Sequence, residues 1–223
     1  ITGNMEDFLV CNDSVYFKIK NIGFNESTGL TAKDFSTSLT IKTDSLFFRD
    51  VKCITDSSVI MAPSIKLIPL DSVGFADFIN RVKLDIELSQ SGVSTSELSH
   101  FAAVFKGIDE MLFASGHFYG TISEFNGRKA EIKYGSSTRL KCDFDLSGLP
   151  QIENTYAFIE VNELRTSAED IERFRLRAGK TISLPKSIHQ MGSMYFRGNF
   201  TGFTTDFVSY GTLRTDNGSF STD

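Results

Sequence analysis

The sequence predicts a mainly β protein: an antiparallel sheet with a few short helices at its edge or ends. Three observations carry this. Apolar and polar residues alternate with period two through most of the chain. Helical spacing appears only in short stretches between groups of strands. A strand, capped helix, strand pattern recurs along the sequence.

The alternation is clearest at Val82, Leu84, Ile86 and Leu88, interleaved with Lys83, Asp85, Glu87 and Ser89. It returns at Thr138, Leu140, Cys142, Phe144 and Leu146, interleaved with Arg139, Lys141, Asp143 and Asp145. Shorter runs are Val15-Phe17-Ile19, Leu39-Ile41, Ala130-Ile132-Tyr134, and Phe196 to Phe200 around Gly198. Each places one apolar row and one polar row on opposite sides of a strand, the pattern of an antiparallel sheet with one wet face. A buried parallel sheet would read as unbroken Val/Ile runs instead.

Helix is expected near residues 72–82, 95–106, 167–174 and 185–191. Ser94-Thr95-Ser96-Glu97 forms a capping-box pattern ahead of Leu98, Phe101, Ala102 and Phe105. Ser167-Ala168-Glu169-Asp170 resembles a second box with Asp in the Glu position, ahead of Ile171 and Phe174. Phe75, Phe78, Ile79 and Val82 have helical spacing behind Gly74, and Pro185 and Gly192 bracket a two-turn stretch.

Ile86, Leu88, Ser94, Glu97, Leu98 and Phe101 align with Ile159, Val161, Ser167, Asp170, Ile171 and Phe174 at one constant offset. Downstream, Gly116, Gly120 and Phe125 align with Gly198, Gly202 and Phe207 at a slightly larger offset. The chain therefore reads as a single β-rich region over 1–223, part of a longer chain, with repeat units at about 82–146 and 156–223. Its glycines spaced by four lie between alternating flanks, so they mark strand bends or bulges rather than a membrane-helix interface.

Composition narrows the functions. A net charge of -5 with no basic stripe argues against nucleic acid. The 21 Phe and 6 Tyr without any Trp suit apolar faces that need bulk without a polar handle. Cys11, Cys53 and Cys142 stand alone and make no closed disulfide framework, and Cys142 reads as a small buried hydrophobe. No apolar run approaches the roughly 20 residues that span a bilayer. Ile1 to Val10 lacks a basic start, and the chain reads as an excised piece.

Direct tests for chemistry return little. His100, His117 and His189 are isolated, with no HxH or HExxH spacing, so no metal is expected. No GxSxG elbow and no phosphate-cradling loop occurs. Ser136, Ser137 and Thr138 after Gly135 read as a hairpin end. Asp143 and Asp145 alternate with Arg139 and Lys141, which reads as a solvated face rather than a catalytic pair. No catalytic residue and no cofactor is expected, and the chain reads as a non-enzyme.

Two passages resemble a known family: Gly135-Ser-Ser-Thr-Arg-Leu-Lys-Cys-Asp-Phe-Asp-Leu-Ser-Gly-Leu-Pro150, and Met191 through Gly218 with its GSMYFRGNFTGFTTDF core. They are similar to segments of TamB-like translocation and assembly proteins, within the wider AsmA-like group, over roughly Leu39 to Asp223. The resemblance implies a periplasmic, repeated β-sheet curled into a trough with an apolar inner face. It implies a parent protein anchored in the inner membrane by one N-terminal helix. It also implies partners among phospholipid acyl chains and outer-membrane assembly proteins. The family supplies no catalytic motif.

The expected function is thus cell-envelope biogenesis, by lipid transport or protein translocation along an apolar β groove. Leu84, Ile86, Leu140, Cys142, Phe144 and Phe200 are the candidate wall, as groove or as core face. The competing expectation is a periplasmic or surface β-sandwich binding module for glycan or protein. That module would need exposed aromatics at one end, for which Tyr119, Tyr156 and Tyr195 are the candidates.

Overall fold

The computed structural model of the protein describes residues 2–25, 31–100, 105–173 and 183–222. Thirteen strands form one antiparallel sheet in which every strand pairs only with its neighbours in sequence. They are β1 (Thr2–Cys11), β2 (Ser14–Asn25), β3 (Thr31–Ile41), β4 (Leu46–Thr55), β5 (Val59–Pro69), β6 (Val82–Ser94) and β7 (Met111–Gly120). The run continues with β8 (Glu124–Tyr134), β9 (Thr138–Ser147), β10 (Tyr156–Thr166), β11 (Met194–Phe203), β12 (Asp206–Thr215) and β13 (Gly218–Thr222). Strand accounts for 66% of the residues and helix for 13%, too little helix to cover the sheet, and the sheet does not close on itself.

The helices are α1 (Phe78–Arg81), α2 (Thr95–Leu98), α3 (Ala168–Arg173) and α4 (Lys186–His189). All sit in connections at the strand ends. The helical stretch expected at 72–82 is a 3-10 turn, Gly74–Asp77, running into α1. Val82 is not part of it. It opens β6 opposite Pro69 and is fully buried, so strand pairing overrides its helical spacing. Phe75, Phe78 and Ile79 stay exposed rather than packing as one helical face. α2 is shorter than the expected 95–106, and Phe101, Ala102 and Phe174 lie outside the described residues.

Pairing register explains why alternation is so strict. Residues directly opposite in an antiparallel pair share a face, so one apolar residue recruits another on each neighbouring strand. Val15 faces Ile41, Ile41 faces Leu46, Leu46 faces Leu67 and Leu67 faces Leu84. The row runs on through Gly120, Phe125, Leu146, Ala157, Gly202 and Phe207. One slip by a single residue would turn a whole strand inside out.

Leu39, Leu84, Cys142 and Val161 on this apolar side are each under a tenth exposed, while Lys83, Asp85 and Glu87 on the other side are open to solvent. A flat single-layer sheet would expose both faces alike. The apolar side is therefore the more sheltered of the two faces.

The register also exposes a four-strand period. In β6 a shift falls between Leu88 and Ser91, and in β10 one falls between Val161 and Leu164. These positions lie 73 residues apart, the offset that relates Leu84 to Ala157 and Ile86 to Ile159. Gly116 faces Leu88 as Gly198 faces Val161, and Gly120 faces Leu84 as Gly202 faces Ala157. β2 carries the same device: Val15 faces Ile41, Phe17 faces Leu39, and a shift falls between Ile19 and Ile22. The first copy, β2 to β5, escapes sequence comparison because Thr37 and Ile41 stand where the later copies have glycine.

Candidate functional site: the apolar face

The middle row of the face holds more aromatic rings than either row beside it. Phe48 faces Ile65, Ile65 faces Ile86 and Ile86 faces Phe118. Beyond Phe118 come Gly127, Phe144, Ile159 and Phe200 in direct register. Ile86, Phe144 and Phe200, on strands far apart in sequence, thus stand in one line. Leu84 lies in the adjacent row already described.

β9 alternates without interruption, so Leu140, Cys142, Phe144 and Leu146 share this side. Cys142 faces Ala130 and Val161, and Leu140 faces Ile132 and Leu164. Pairing register therefore places all the candidate wall residues on one face.

A glycine makes the centre of that wall possible. Phe118, Phe125 and Phe144 have ring centroids 6.1 Å apart in each pairing. Phe118 and Phe144 belong to strands that flank β8, where two strand spacings alone would separate them by about 9.5 Å. They lean together over Gly127, where any Cβ would overlap the Phe144 ring. Farther along, Phe200 stacks on Phe207 with centroids 4.5 Å apart. Such ring pairs add about 0.5–1.5 kcal/mol each beyond area burial. Phe118, Phe144 and Phe200 nevertheless remain partly exposed, which leaves ring surface available to a ligand.

Burial makes two of the three thiols, Cys53 and Cys142, poorly suited to chemistry. Cys142 is 3% exposed, and burial with the neighbouring Asp143 charge pushes its thiol up to about 11. Burial also raises Cys53. Protonated thiols are poor nucleophiles and poor metal ligands. Among the described residues no group of three or more His, Cys, Asp or Glu is placed to hold a metal ion. His117 Nε2 lies 2.7 Å from Asp85 Oδ1 and stacks on Tyr119, while His189 Nε2 lies 3.0 Å from Glu172.

The opposite face carries cross-strand ion pairs among exposed aromatics such as Phe113, Phe158 and Tyr210. Arg128 reaches Asp145 at 2.7 Å, Lys141 reaches Glu163 at 2.9 Å and Arg139 reaches Glu131 at 3.0 Å. Asp143 and Asp145 accordingly serve cross-strand pairing, with Asp143 accepting the Lys129 amide at 2.6 Å. Exposed pairs of this kind each contribute about 0–1 kcal/mol.

Tyr119, Tyr156 and Tyr195 do not assemble at one end of the molecule. Tyr119 lies within β7 under Arg128, Tyr156 opens β10, and Tyr195 sits at the start of β11 beside Arg165. Because β10 and β11 run antiparallel, those two starts are at opposite ends of the sheet.

Sequence reasoning missed the residues that lock the rim. Ser94 caps α2 by accepting the Ser96 amide, but Glu97 does not return to Ser94 as a capping box requires. It turns instead to the β4–β5 hairpin, accepting from the Ser57 amide at 3.0 Å, the Thr55 hydroxyl at 2.6 Å and the Ser58 hydroxyl. Ser58 Oγ in turn accepts the Ser94 amide that the box left unpaired.

Asp170 does the equivalent on the β8–β9 hairpin. It accepts from the amides of Ser136, Ser137 and Thr138 at 3.2, 2.9 and 2.8 Å, and from all three hydroxyls. Burial to 1% exposure pushes the carboxyl up, but these bonds outweigh it and hold Asp170 at about 2. The visible signal was Ser-x-x-acid after a strand. What hid the role was that the donors lie more than thirty residues upstream.

Among the described residues no helix is long and apolar enough to cross a membrane. No protein-family model, no curated protein and no solved structure matches the chain.

Proposed function

We propose that this chain is a non-enzymatic segment of a cell-envelope protein whose concave apolar face guides phospholipid acyl chains between membranes. The observation that supports the reading is the registration of apolar residues across strand after strand, on one face of a single-layer sheet that does not close. A closed sandwich would bury that surface against a second sheet. Here Phe118, Phe144 and Phe200 keep part of their rings accessible. Hydrocarbon tails match such a surface because their transfer from water needs no hydrogen-bond partner. The resemblance to TamB-like proteins points the same way, toward a periplasmic setting and a role in outer-membrane biogenesis.

Native mass spectrometry of the purified chain tests this directly. Co-purified phospholipid is expected on the wild type and should be lost on Phe144→Asp, because a carboxylate in the wall must be desolvated against the acyl chain. Circular dichroism accompanies the assay to show that the variant remains folded. A folded Phe144→Asp chain that loads lipid as well as the wild type would remove the groove as the binding site.

A further inference from the structure

The register shift in β6 has its copy in β10, and beside each lies a cavity on the face that carries the ion pairs. The first is lined by Phe113 and Ser115 of β7 and by Glu131 and Lys133 of β8. The second, of about 500 Å³, is lined by Tyr195 and Arg197 of β11 and by Thr212 and Arg214 of β12. Pairing makes these residues counterparts. Phe113 faces Lys133 as Tyr195 faces Arg214, and Ser115 faces Glu131 as Arg197 faces Thr212. Gly92 faces Phe113 as Arg165 faces Tyr195. The strands that line both cavities have a partner strand on each side, so neither cavity arises from an outer edge.

One place in the repeat thus carries two opposite charge settings. In the first cavity Glu131 holds Lys133 at 3.2 Å and Arg139 at 3.0 Å, so acid and base cancel locally. In the second, Thr212 stands where Glu131 stood, and arginine replaces both Ser115 and Gly92. Arg165, Arg197 and Arg214 are all exposed and make no ion pair among the described residues. Glu163, the acid at the rim, is engaged by Lys141 at 2.9 Å. Arg165 lies over the ring of Tyr195, 5.4 Å from its centroid, and so stands beside the same cavity.

We propose that the cavity beside the β10 bulge binds a phosphate-class oxyanion, with Arg197 and Arg214 donating to it and Tyr195 and Arg165 flanking it. Arg197 and Arg214 are diagonal neighbours across the β11–β12 pair, a separation of about 7–8 Å that two long side chains can converge across. A guanidinium presents paired N–H donors that match two oxygens of a phosphate group. The bound anion also relieves the mutual repulsion of three gathered cations. Glu131 excludes the same ion from the first cavity. The site lies on the face away from the acyl-chain wall, so it does not depend on lipid loading. Its phosphate group arrives either as a free anion or as a headgroup at a membrane surface.

Calorimetric titration of the whole chain with inorganic phosphate, beside co-sedimentation with phosphatidylglycerol and phosphatidylcholine vesicles, tests the site and separates the two sources. Saturable phosphate binding is expected for a free anion, and binding to phosphatidylglycerol vesicles alone for a headgroup. Thr212→Glu, which installs the acid of the first cavity, should weaken either by about tenfold or more, as should Arg197→Gln with Arg214→Gln. The reverse exchange, Ser115→Arg with Glu131→Thr, should create a second binding site. Circular dichroism checks that each variant is folded. Removing two cations elsewhere on the same face, with Lys66→Gln and Lys83→Gln, should leave binding nearly unchanged. Equal loss in that control would overturn the proposal by reducing it to overall charge. Failure of both probes to bind, equal binding to phosphatidylcholine vesicles, or binding that a folded Thr212→Glu chain retains would each overturn it as well.

Discussion

Two hairpin turns at the same end of the sheet are locked by acids in equivalent places, yet the locks are unequal. Glu97 is half-buried and takes one amide and two hydroxyls from the Thr55–Ser58 turn. Asp170 is buried and takes three amides and three hydroxyls from the 136–138 turn. The shorter side chain sits closer to its helix and needs the turn to come to it. Gly135, at φ 59°, lets the turn do so, because its missing side chain leaves the space that the Asp170 carboxylate fills. Position in the repeat fixes which turn is clamped, while side-chain length fixes how tightly.

The largest effect should follow from Asp170→Ala. Three turn amides would lose their acceptor in a buried setting, and a loss of about 3 kcal/mol or more is expected by chemical denaturation. If Asp170→Ala costs no more than Glu97→Ala, the contrast between the turns is one of geometry and not of energy.

The same carboxylate predicts an acid-limb signature. Its folded pKa lies below its unfolded value, so its contribution is fully present above about pH 4 and is lost as pH falls toward 2. The wild type should shed about 2 kcal/mol across that window, and Asp170→Asn should show a flatter profile over it. An unchanged acid limb in Asp170→Asn would assign the titration to other carboxylates.

A second contrast lies in the middle row. The β4 region places Phe48 between Leu39 and Ile65, whereas the β8 region places Gly127 between Phe118 and Phe144. Bulk is central in one and lateral in the other, so the repeat preserves register and volume rather than residue identity. Gly127→Ala should cost about 2 kcal/mol by forcing the Phe144 ring aside, and Phe144→Leu in the same chain should recover part of it. Strict additivity of the two changes would mean that the ring does not fill the glycine space.

The smallest effect concerns the bulges. Asp50 in β4 and Lys129 in β8 occupy the same point of the period, both at φ 51°. A left-handed conformation costs an L side chain roughly 1–2 kcal/mol, so Lys129→Gly should raise the melting temperature slightly if its added chain entropy does not cancel the gain. A fall would show that the Lys129 side chain contributes more than its backbone strain removes.

These comparisons also show what could be read from sequence. Leu140, Cys142, Phe144 and Leu146 announce their shared side through simple alternation, and Leu84 with Ile86 does the same on β6. That Ile86, Phe144 and Phe200 form one line could not be read, since it depends on register summed over six strands. The bulge at Lys129 was hidden for a different reason, because a lysine does not advertise a left-handed residue as glycine, asparagine or aspartate does. Ser94 was legible as a cap, but the partner of Glu97 was not, since a carboxylate that can close its own helix can also reach across space to another strand's turn.

The strictly sequential strand order carries a kinetic consequence. Each new strand docks onto the one completed just before it, and only the connections from β6 to β7 and from β10 to β11 are long loops to close. A chain delivered with its N-terminus first can zip up from β1 onward while its remainder is still extended, with each finished hairpin templating the next. Growth of this kind proceeds at the pace of local hairpin closure except at those two connections, and an interruption at any point strands only what comes after it.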